Sequence, residues 1–110
     1  MSAQHPTLAA GRWHTLSFLE QMAHVGGEVE RALNWRGKGN SAYSLLAYER
    51  ALELLGLTLD DLRNHARAKE LARLHEALVD FFQGSNQFGS SDSNLRKYFG
   101  AFAYAARRDR

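Results

Sequence analysis

Glu30, Arg67 and His75 are the residues of this chain whose types and spacing hold the most chemistry. Glu30 follows Gly26 by four residues and precedes Leu33 by three, so it shares their helical phase within an apolar arc. His75 stands in the same way between Leu71, Leu78 and Phe82, and Arg67 edges onto that face. A carboxylate among apolar neighbours must be paired or shift its pKa upward. The three residues are therefore expected to meet, as a polar pocket, as a structural network between two helices, or as an interface.

Other constellations carry less. Glu20, His24 and Glu28 form a ladder at four-residue spacing that could present metal ligands on one helix face. That face is the polar one, away from a helical core. No Glu is followed by His three residues later, the pairing used by metal sites inside helical bundles. There is no cysteine. No metal and no cofactor is expected. Trp13 and Trp35 place large aromatics near the two ends of one helix, where aromatic anchors favour interfaces. The loop from Asn86 to Asp92 leads into a helix start, whose free amides can receive an anion.

Four amphipathic helices must position these residues. The first is predicted from Trp13 to Trp35 with Thr15 as a cap. Its apolar face holds Leu16, Leu19, Met22, Ala23, Gly26, Val29 and Leu33. The pair Gly26-Gly27 suggests close approach of a neighbouring helix, or a kink. The second helix is predicted from Ser41 to Leu55, closed by Gly56. The third is predicted from Asp60 to Phe82, capped by Thr58 or Asp60. The fourth is predicted from Ser93 to Arg107, capped by Ser91 or Asp92. No stretch alternates as a strand would. The expected fold is all-α, a four-helix up-and-down bundle. Residues 1–12 are expected to be a flexible tail and residues 13–110 a single domain.

The chain has 110 residues, within the range of one domain. Its net charge is only +2, from 14 basic and 12 acidic side chains. Committed nucleic-acid binders concentrate charge in a stripe. The clearest cluster here is Arg107, Arg108 and Arg110, read as a solvated tail, so nucleic acid is not an expected partner. Met1 to Gly11 lack the apolar core of a signal peptide, and no apolar run is long enough for a membrane span. A cytoplasmic protein without membrane contact is expected.

Two resemblances follow from these residues. The stretch from Gly39-Asn40 through Tyr48-Glu49-Arg50-Ala51-Leu52-Glu53-Leu54 looks like the second half of a tetratricopeptide repeat, but a single partial unit cannot build a solenoid. Size, helix count and the Ala-rich faces (Ala47 and Ala51; Ala103, Ala105 and Ala106) resemble the HEPN group of small helical proteins. Many of that group act beside a minimal nucleotidyltransferase. Its ribonuclease members carry an Arg followed by a His after four to six residues, and no Arg here meets that spacing. The resemblance therefore implies a non-catalytic accessory partner of a nucleotidyltransferase-like enzyme. The aromatics at the helix ends and the Gly26-Gly27 pair offer surface suited to helix packing, so a homodimer is expected. The alternatives are a small enzyme or ligand receptor built on Glu30 and His75, or a weak RNA binder using the Arg-rich C-terminus.

Overall fold

A computed structural model describes residues 11–108. Most of the described residues are helical, with no strand among them, as an all-α chain requires. Residues 1–10 of the expected tail, and Arg110 of the C-terminal cluster, lie outside the described residues. Gly11 to Trp13 are helical, and Thr15 Oγ1 donates to the Arg12 carbonyl at 2.6 Å.

The first long helix, α1, spans Phe18–Gly37, a later start than Trp13. A capping box sets that start. Glu20 N donates to Ser17 Oγ at 3.1 Å, and Ser17 N donates to Glu20 Oε1 at 3.0 Å. Thr15 is not the cap. Gly39, at φ 78°, takes the left-handed conformation that turns the chain out of α1.

Helix α2 spans Ser41–Asp60, with the Asn40 side chain accepting from Tyr43 N at 3.0 Å. It continues through Gly56, where the sequence suggested a stop. Leu55 and Thr58, on either side, are fully buried. Their packing outweighs the cost of a mid-helix glycine, about 1 kcal/mol.

The predicted third helix is divided. Leu62–Arg67 form a 3-10 helix, and α3 follows at Ala68–Gln83. The cause is Asp61, whose carboxylate accepts from Arg63 N at 3.0 Å and tightens this turn. Helix α4 spans Asp92–Arg108, with Ser91 Oγ accepting from Asn94 N at 3.0 Å.

Each helix gives one face to a shared core. Met22, Val25, Val29 and Leu33 come from α1, and Ala47, Ala51 and Leu55 from α2. Leu71 and Leu78 come from α3, and Leu95 and Phe99 from α4. Helix α1 lies against both α2 and α4. The glycine pair explains the second contact. A Cβ on Gly26 would stand 2.7 Å from Phe99 Cβ, whereas one on Gly27 would meet nothing within 4 Å. Only Gly26 is needed for the close approach.

Candidate functional site

The two ends of α1 and α2 differ in kind. The start of α1, the end of α2 and the 3-10 helix enclose a knot of polar side chains. Gln21 is 0% exposed, and Asp61 and Asn64 are each 5% exposed. Gln21 Nε2 donates to Asp61 Oδ2 at 2.9 Å and to the Trp13 carbonyl at 3.1 Å. Asn64 Nδ2 donates to Gln21 Oε1 at 2.9 Å and to the Thr58 carbonyl at 3.0 Å. Trp13 Nε1 donates to Thr58 Oγ1 at 3.1 Å, and that hydroxyl donates to the Leu54 carbonyl at 2.9 Å.

Arg63 completes the knot from the surface. Its NH2 donates to Asp61 Oδ2 at 2.6 Å and to the Leu16 carbonyl at 2.7 Å. The Arg63 hydrogen bonds hold the Asp61 carboxyl far below the usual carboxylate range, against the opposing effect of burial. Donors and acceptors are matched inside the chain, so the knot ties three segments together rather than offering a free group to a ligand.

The expected triad does not assemble. Glu30 has a side chain 46% exposed and receives Arg96 Nε from α4 at 3.0 Å. It lies at the outer edge of the contact with α4, one turn beyond Gly26. The apolar arc is narrower there than the sequence phase implied. Arg67 stacks on Phe18, its guanidinium carbon 4.2 Å from the ring centroid. His75 is half-buried on α3 and pairs with neither. The pocket expected from Glu30 and His75 is not formed.

The remaining candidates also find internal roles. Trp13 is buried in the polar knot and is not a surface anchor. His24 meets the Trp13 ring at 5.7 Å, and Glu28 pairs with Arg31 at 3.2 Å and Arg50 at 4.0 Å. Among the described residues, no group of three or more acidic, His or Cys side chains is arranged to hold a metal. The expected anion loop is filled by the chain itself. Gln87 N and Phe88 N each donate to the Asp80 carboxylate at 2.9 Å.

The opposite end is open. Trp35 is partly buried, with Tyr43 edge-on at 4.9 Å and Lys38 Nζ 5.1 Å from its ring centroid. Tyr43, Leu45 and Leu46, on the first turns of α2, are 52%, 43% and 44% exposed. Beside them runs a groove of about 450 Å³ between α2 and the end of α3, lined by Leu45, Tyr48, Phe82 and Arg36. Tyr48 Oη donates to Gln83 Oε1 at 2.7 Å across its floor. Arg36 lies 3.5 Å from Asp92 and packs over Phe81 at 4.5 Å. This apolar surface with a basic rim was not found from sequence, because Leu45 reads with Ala47, Tyr48 and Ala51 as part of one wide apolar face of the helix.

No helix among the described residues is long and apolar enough to cross a membrane. Comparison with protein-family models, with curated proteins and with solved structures gives no match.

Proposed function

We propose that the chain is a non-catalytic helical binding module of the cytoplasm, which docks a partner protein on the open end of α2. The observation that carries this reading is the exposure of Leu45, on the groove it lines with Tyr48 and Phe82, and of Leu46 next to it around the helix, where the same helix buries Leu54 and Leu55 at its other end. Contiguous apolar residues left on a surface mark interaction sites. The groove beside them suits an apolar helix laid along α2. Arg36 on its rim complements a carboxylate carried by that helix.

The HEPN-like helix pattern supplies the partner class, a nucleotidyltransferase-like enzyme. The polar knot supports a binding role over a catalytic one, because its carboxylate and amides are already engaged with one another. Capture from native lysate on immobilised wild-type protein and on the Leu45→Glu/Leu46→Glu variant tests the reading. A nucleotidyltransferase-domain protein retained by wild type and lost from the variant supports it. Equal retention by both contradicts it. Light scattering gives the remaining outcome: a dimer dispersed by the same substitutions assigns the surface to a second copy of the chain.

A further inference from the structure

The seam between α3 and α4 carries a second surface, separate from the open end of α2. Tyr98 Oη on α4 donates to Glu70 Oε2 on α3 at 3.0 Å. Further along α4, Phe102 meets Phe18 at 5.8 Å, the ring on which Arg67 stacks. Rising numbers on α4 therefore face falling numbers on α3, and the two helices are antiparallel.

At 100° per residue, Lys97, Ala101, Tyr104 and Arg108 share the α4 flank outward of Tyr98. Lys69 and Arg73 share the α3 flank outward of Glu70. Between antiparallel neighbours, the sense of rotation from core to contact to solvent is the same on both helices. The two flanks therefore open on one side of the molecule.

The charge is basic along the α4 flank and at the start of α3; Glu76 and Asp80 share the α3 flank one to two turns further on, where Asp80 is engaged by Gln87 N and Phe88 N. Lys69, Arg73, Lys97 and Arg108 are all exposed, and among the described residues none has a carboxylate partner. Glu70 is the one carboxylate lining the open groove of about 630 Å³ with Arg67, Lys69 and Arg73, and it already accepts the Tyr98 hydroxyl. Lys69 and Arg73 stand one helical turn apart and repel each other unless an anion lies between them. Tyr104 is 57% exposed, with the Arg108 guanidinium carbon 5.8 Å from its ring centroid.

We infer that this face binds single-stranded nucleic acid, its phosphates on Lys69, Arg73, Lys97 and Arg108 and a base stacked on Tyr104. Lys97 and Arg108 are about 16 Å apart along the helix axis, several phosphates rather than one. An exposed aromatic among cations is the usual platform for an unpaired base. An acidic peptide would engage the cations and leave the ring unused. The net charge of +2 conceals the face, because folding gathers cations from two distant segments while most of the acidic residues lie elsewhere.

Fluorescence anisotropy with labelled uridine and thymidine tracts of equal length tests the inference on the full chain. Four neutralised phosphates give a log–log salt slope of about −2.8. Binding to either tract with such a slope, weakened roughly tenfold by Lys69→Ala/Arg73→Ala and again by Tyr104→Ala, supports it. Arg31→Ala removes an exposed cation from α1, away from this face, and should leave affinity unchanged. Failure to bind either tract overturns the proposal. So does equal weakening by Arg31→Ala, or a polyglutamate that competes fully while Tyr104→Ala has no effect. Circular dichroism of each variant separates lost binding from lost folding.

Discussion

The two ends of the α1–α2 pair are built from opposite materials. At one end, Gln21, Asp61, Asn64 and Thr58 are polar and buried, yet every bond they need is made inside the chain. At the other, Tyr43, Leu45 and Leu46 are apolar and exposed. Burying polar groups is costly unless they are paired, and exposing large apolar groups side by side leaves surface that gains by being covered. The first end secures the fold, and the second is the surface on which docking is proposed.

The largest effect should come from breaking the closed end. Asp61→Ala removes the acceptor of the buried Gln21 amide and of the Arg63 backbone N–H, which should destabilise by roughly 2–3 kcal/mol in urea unfolding. The Arg63 guanidinium is half exposed and can rehydrate, so it adds little. The same carboxyl sets a pH dependence. Its folded pKa lies below that of the unfolded chain, so its contribution is complete at neutral pH. That contribution is lost as the pH falls below about 4. Asp61→Asn should flatten this acid limb, leaving a melting temperature that varies less between neutral and acid pH than the wild type does.

The next effect lies midway between the ends. Gly26→Ala forces a methyl against Phe99 and should cost about 1–3 kcal/mol, reduced by the better helix propensity of alanine. Gly27→Ala meets no neighbour and should stabilise by up to about 1 kcal/mol. Thermal melts that moved in the same direction would show that α4 does not lie on Gly26 as described.

The helices themselves were legible in the sequence because their apolar residues keep a 3.6-residue period. The starts of α2 and α4 fell within one residue of prediction. The boundary at Asp61 was not legible. Asp61 and Asn64 read as the first turn of the predicted third helix until the end of α2 brings them to Gln21. Gln21 itself left a trace, being in phase with buried Val25, but Met22 and Gly26 define a neighbouring arc that hides it. The error at Glu30 has the same origin. Helical phase gives a direction, while burial depends on whether a neighbouring helix covers that direction.

A smaller effect sharpens that last point. Glu28 has a side chain 17% exposed between Arg31 and Arg50, while Glu30 is 46% exposed with Arg96 alone. Glu28→Ala should therefore cost more than Glu30→Ala, although both changes should stay within about 1 kcal/mol. Chemical denaturation of the two variants side by side checks the order, which is the reverse of what sequence phase implies.

The contrast between the ends is tested most directly by measuring melting temperature and captured partner together for Asp61→Asn and for Leu45→Glu/Leu46→Glu. The expected result is a crossed pattern. Asp61→Asn melts earlier but retains the partner below its melting point, and Leu45→Glu/Leu46→Glu melts with the wild type but retains none. If instead each variant loses stability and binding in proportion, the two ends are not separate in function, and the account is contradicted.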